Sequence, residues 1–156
     1  VKKDNRQRLF EMMNKVGGMT LTEFSTELKY DEHEKYRNLI EFIGESQGYD
    51  NFLHTTKTEE NAKSICQNGF RFEQFQKTTD YIGNVDALVY MLYVRQAYGN
   101  FTVIIQISHS LQDYESISEK TTDDEDNEIF ILPPQYIKGY YNRTTKEIFP
   151  NQLFKK

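Results

Sequence analysis

Phe52-Leu-His-Thr-Thr56, a helical stretch, and then Asn68-Gly-Phe70 form the part of this sequence best suited to chemistry. A strand that ends in His54 sets an imidazole at a sheet edge, where it can hydrogen-bond a ligand hydroxyl. The hydroxyls of Thr55 and Thr56 and the N-terminus of the following helix then face the same cleft. Unpaired helix N–H groups there favour an anion such as a phosphate. The same residues also have a purely structural account. Thr56-Lys-Thr-Glu59 has the form of a capping box, and a histidine at a strand end is commonplace.

Other residue types carry weaker signals. Arg95 falls seven residues after Leu88 on an otherwise apolar helix face, where it either reaches a phosphate or covers the core with its stem. Arg71, just after the glycine turn, has the same two readings. The run Asp123-Asp-Glu-Asp-Asn-Glu128 lacks the alternating spacing and glycine of an EF-hand and reads as a solvated loop. Cys66 lies on the inward face of a helix, and His33 and His109 have no zinc-type spacing to it. The sequence contains no P-loop, no dinucleotide-type glycine fingerprint and no nucleophile elbow.

The elements that must position these groups follow from apolar periodicity. A helix is predicted from Asn5 to Val16, with Leu9, Phe10, Met13 and Val16 on one face, closed by Gly17-Gly18. Residues 1–18 are therefore expected to be an amphipathic arm that packs on the same domain or enters a partner's groove. Residues 19–156 form the core domain. Its first helix runs from Asp31 to Ile43, with Asp31 and Glu34 in a capping arrangement and Gly44 as the stop.

A turn at Gly48 and Asp50 precedes a strand over Asn51–His54. The next helix, Thr58 to Gln67, turns Ala62, Ile65 and Cys66 inward and ends at Asn68-Gly69. Phe70 to Phe75 reads as a strand or an extended segment. Asn84 or Asp86 caps a further helix to about Tyr98 that is apolar on more than one face. Phe101 to Ile107 is apolar on both faces and belongs near the centre of a sheet. Gln112 to Asn127 reads as an acidic loop, followed by strands at Glu128–Leu132, Tyr136–Tyr141 and Glu147–Phe149. The fold class is α+β: N-terminal helices, then a small split, antiparallel or mixed sheet with helices packed on it.

Composition bounds the function. The chain has 156 residues, room for one ordinary domain, and its eleven Tyr and eleven Phe supply a packed interior. A net charge of -5 disfavours indiscriminate nucleic-acid binding, so an RNA-directed toxin or nuclease ranks last. A single cysteine and the lack of a long apolar run point to a reducing cytoplasm and no membrane span. The first residue is Val, so the start is expected to be processed or to lie further upstream.

Leu53-His54-Thr55-Thr56, then Asn61-Ala62-Lys63-Ser64-Ile65, then Asn68-Gly69-Phe70 resembles the opening of the catalytic core in the ADP-ribosyltransferase (PARP-like) superfamily. Members there carry His-Gly-Thr on a strand, then a helix, then a short Gly-hydrophobic turn. This chain keeps the His and places Thr55 where the family has Gly. The resemblance covers about residues 51–154 and implies an ADP-ribosyltransferase-like fold that takes NAD as substrate in a cleft between two small sheets. It implies that His54 orients a ribose beside Thr55 and Thr56, and that Thr79 or Tyr81 walls the nicotinamide. It also implies that Glu128, or Glu125 in its place, is the carboxylate that steers transfer of ADP-ribose to a protein or nucleic-acid acceptor. Arg95 is the candidate phosphate contact. The alternative is an inactive binding or assembly module of bacterial or phage origin that docks a partner through residues 5–16.

Overall fold

The computed structural model describes residues 34–44, 48–109 and 114–155. The predicted helix over residues 5–16 and the Asp31 cap lie outside them. The chain is α+β, as its patterning requires. Its elements in order are α1 (Arg37–Ile43), β1 (Tyr49–Thr56), α2 (Glu59–Asn68), β2 (Phe70–Phe72), α3 (Phe75–Thr78), β3 (Asp80–Ile82) and α4 (Val85–Val94). A 3-10 turn, Gln96–Tyr98, leads into β4 (Phe101–Ser108), β5 (Glu119–Thr122) and β6 (Glu128–Leu132). A second 3-10 turn, Pro134–Tyr136, precedes β7 (Ile137–Asn142) and β8 (Ile148–Pro150).

Among the described residues the strands form two sheets, ordered β3-β1-β4-β7-β8 and β2-β6-β5, and every pairing is antiparallel. The strand expected at the centre of a sheet is there. β4 sits between β1 and β7, and Val103, Ile104, Ile105 and Ile107 are fully buried. Both of its faces are covered, which is why its sequence does not alternate. On one face Leu53 and Ile104 pack with Leu39 and Ile43 of α1 and Leu88 and Leu92 of α4. On the other, Phe52, Val103 and Ile105 meet Phe70, Phe72, Phe130 and Leu132 of the smaller sheet.

Local chemistry sets the boundaries. Gly44, at φ 66, ends α1, and its N–H donates to the Ile40 carbonyl. Thr58 caps α2 through the Asn61 N–H, and Asn84 caps α4 through the Ala87 N–H. Gly99, at φ 150, lies where a Cβ would stand 2.1 Å from the Thr56 carbonyl oxygen, so the β4 entry passes β1 without a side chain.

The sequence reading differs from the structure at several points. The capping box assigned to Thr56–Glu59 is absent, because Thr56 is still in β1 and the extended residue directly before the helix is Thr58. Phe70 to Phe75 is not one strand. It ends at Phe72, and Phe75 opens the short α3; the Phe75 carbonyl accepts from the hydroxyls of Thr78 and Thr79. The acidic loop contains β5, a polar edge strand that pairs with β6. The helix expected to reach Tyr98 stops at Val94 and tightens into the 3-10 turn.

Candidate functional site

Alternation along β1 sends Phe52, His54 and Thr56 to the face beneath the smaller sheet, and Leu53 and Thr55 to the helix-covered face. His54 is held from two sides. Its Nδ1 lies 2.8 Å from the carbonyl of Thr78, and its ring centre is 4.8 Å from that of Phe70. A carbonyl can only accept, so Nδ1 carries the proton and donates, which leaves Nε2 as the acceptor. Burial lowers the pKa of His54, opposed by the Thr78 bond and the charge of Asp80. The side chain is therefore a neutral imidazole at neutral pH with one oriented lone pair.

Beside it runs an aromatic surface. Tyr81 pairs with Phe52 across β3 and β1; their rings are 5.6 Å apart, and Tyr81 is 59% exposed. Tyr114 stacks on Phe75 at 4.5 Å and meets Phe52 edge-on at 5.4 Å. Burial, with Asp50 and Tyr81 nearby, raises the Tyr114 phenol above its ordinary pKa. Asp50, on the same alternation as Phe52 and His54, pairs with Nε2 of His109 at 2.9 Å. Sequence reasoning missed Thr78, Tyr114 and the Asp50–His109 pair. The period-two spacing of Asp50, Phe52 and His54 was the available signal for Asp50. Thr78 and Tyr114 depend on contacts far apart in the chain.

The remaining sequence-predicted residues divide. The Thr56 hydroxyl is buried and accepts from Asn61 Nδ2 at 3.0 Å. Thr79 is buried and donates its hydroxyl to the Phe75 carbonyl at 2.8 Å. Arg95 forms a fork on Asp80, with Nε and Nη2 within 2.8–3.3 Å of the two carboxylate oxygens. Its guanidinium also lies 5.1 Å from the Tyr98 ring. The N-terminus of α2 carries Glu59 and Glu60 in its first turn, and the Tyr140 hydroxyl donates to Glu59 at 2.6 Å. Negative side chains already satisfy the helix dipole there.

Glu128 opens β6 on the same alternation as Phe130 and Leu132, and pairs with Lys120 of β5 at 2.9 Å with both side chains more than half exposed. Such a pair is worth about 0–1 kcal/mol and leaves the carboxylate free to exchange partners. Glu125 instead lies in the β5–β6 turn, where Asp123 accepts its N–H and that of Asn127. A cavity of about 480 Å³ beside α3 is lined by Arg71, Gln74, Lys77, Thr78 and Asp123, among others. It brings Arg71 near the residue whose carbonyl holds His54. Burial pushes the Cys66 thiol up to about 11, which removes it as a nucleophile at neutral pH. Among the described residues no three His, Cys, Asp or Glu side chains come together to hold a metal, and no helix is long and apolar enough to cross a membrane.

No protein-family model, curated protein or solved structure matches this chain. A functional reading therefore rests on the geometry of the site itself.

Proposed function

We propose that the chain is an ADP-ribosyltransferase-like domain that binds NAD between its two sheets and transfers ADP-ribose to a macromolecular acceptor. The observation that carries this reading is His54: a neutral imidazole, fixed through Nδ1–H on Thr78, which leaves Nε2 as the acceptor for a ribose hydroxyl. The exposed Tyr81 ring beside Phe52 offers a flat apolar wall for a nicotinamide. Of the two carboxylates, Glu128 is the better candidate, because it stands on a strand facing the main sheet and not in a turn.

In the reaction, the bond between ribose C1 and the nicotinamide nitrogen breaks, and both electrons pass to the ring nitrogen. Positive charge develops at C1 and its ring oxygen, where a nearby carboxylate stabilises it. The acceptor's lone pair then forms the new bond at C1, and its proton leaves to solvent.

Calorimetric titration with NAD tests this reading. The wild type binds, His54→Ala loses binding, and Glu128→Gln binds but does not transfer. No binding at millimolar NAD removes the proposal. Full transfer by Glu128→Gln removes the glutamate assignment.

A second reading, an inactive binding or assembly module, is favoured by the groups already spent within the fold. Thr56, Thr79 and Arg95 are engaged locally, and Thr55 alternates onto the helix-covered face. It predicts that deleting residues 1–18 abolishes partner association and leaves the core folded.

A further inference from the structure

The carbonyl that orients His54 belongs to Thr78, the last residue of α3. That helix is a single turn of four residues, and Gln74 at its start makes no side-chain cap. One turn of helix is unstable by itself, because its dihedrals are fixed for very few hydrogen bonds. The element that follows, β3, has three residues and lies at the edge of the main sheet. Two short elements therefore place the group that fixes the imidazole, and side-chain bonds must supply the rigidity they lack.

Two such ties follow Thr78 directly. The Thr79 hydroxyl donates to the Phe75 carbonyl at 2.8 Å and folds the chain back over the α3 turn. Asp80 comes next. It is the register partner of Leu53, the residue before His54, and its carboxylate accepts the Arg95 fork at 2.8–3.3 Å. Arg95 ends α4, where its N–H donates to the Met91 carbonyl. The fork thus fastens the first residue of β3 to a ten-residue helix anchored in the core by Leu88 and Leu92. The Asp80 side chain is only 14% exposed, so the pair is partly shielded from water. Paired N–H···O bonds from a planar guanidinium fix direction as well as distance, which the single point charge of an ammonium does not.

We propose that the Arg95–Asp80 pair is a positioning device for His54: it fixes the start of β3 against α4 and so keeps the Thr78 carbonyl on Nδ1. The bond made by one ring nitrogen decides where the imidazole proton resides. Once the Thr78 carbonyl drifts, the proton is shared between Nδ1 and Nε2, and the Nε2 lone pair is no longer held in one direction. Arg95 therefore acts from behind the site, through Asp80 and Thr78, and not on a ligand. The consequence for ligand binding rests on the NAD reading, whereas the tautomer is read with no ligand present.

Nitrogen-15 NMR of the His54 ring, at a pH where it is neutral, tests the proposal. In the wild type Nδ1 resonates as the protonated nitrogen and Nε2 as the one with the lone pair. In Arg95→Gln, Arg95→Lys and Asp80→Asn the two resonances are expected to move toward each other, and NAD affinity to fall about fivefold. Asn84→Ala loosens α4 at its cap without touching the fork, and is expected to leave the His54 resonances in place. Circular dichroism verifies that each variant is folded, and the partly exposed Arg95 supplies the informative ones if Asp80→Asn does not fold. Three results would overturn the device: wild-type His54 resonances in folded Arg95→Gln, full rescue by Arg95→Lys, or the same movement in Asn84→Ala. A wild type that does not bind NAD removes the NAD reading instead, and the resonances still decide the role of the fork.

Discussion

The two faces of the five-stranded sheet are packed in different ways. Beneath α1 and α4 the contacts are aliphatic and dry at the centre: Leu53, Ile104, Leu39 and Leu92 have almost no exposure. Beneath the smaller sheet the contacts are between rings, and the array runs out to Tyr81 and Tyr114 at its border, with His54 lodged against Phe70. Aliphatic packing closes the centre of the first face. A ring array that ends at an edge strand leaves flat, partly wet surface, and an oriented imidazole there can still meet a ligand. The first face holds the aliphatic core, and the second carries the proposed NAD site.

Substitutions can break that division. Leu53→Ala, on the helix-covered face, is expected to cost about 2–5 kcal/mol in denaturant unfolding without altering His54 or Tyr81. A loss below about 1 kcal/mol would mean that the face is looser than its burial implies. The Arg95–Asp80 fork bridges α4 and β3; Asp80→Asn is expected to cost about 1–2 kcal/mol, discounted because the guanidinium is partly exposed. Asn84→Ala removes the α4 cap at about 1 kcal/mol, detectable as a shift in urea midpoint with unchanged slope.

Tyr81→Ala, next to Phe52 on the face beneath the smaller sheet, should change stability by no more than about 0.5 kcal/mol. It should nevertheless weaken NAD binding clearly, and an unchanged affinity would remove the tyrosine from the site. The smallest effect is one of pH. The fold holds His54 below its ordinary 6.5, so the unfolded chain binds that proton more readily. Its contribution is complete above that value and declines as pH falls toward the folded midpoint. An NMR titration of His54 with a midpoint at or above 6.5 would contradict the geometry.

Much of the frame was legible from periodicity. Phe101–Ile107 announced a doubly covered strand, and Asn68-Gly69 marked the end of α2. What escaped had no local pattern. β5 is Glu-Lys-Thr-Thr, an edge strand with nothing apolar to alternate, and only its pairing with β6 makes it a strand. α3 was hidden in a run of aromatics that suits a strand equally well. At the site, His54 could be found from its strand, but not the Thr78 carbonyl that sets its tautomer, twenty-four residues later. Arg95 and Thr79 looked available because their partners, Asp80 and the Phe75 carbonyl, become neighbours only on folding.

The order of the main sheet also shapes how the chain is made. β4 lies between β1, which is synthesised before it, and β7, which follows nearly thirty residues later. As the polypeptide leaves the ribosome, β1 can pair with β4 at once, while the other edge of this apolar strand stays open until β7 emerges. That interval is when a second nascent chain could add to the same edge. Slowing translation between Ser108 and Ile137 should therefore raise aggregation, and holdase chaperones should suppress it.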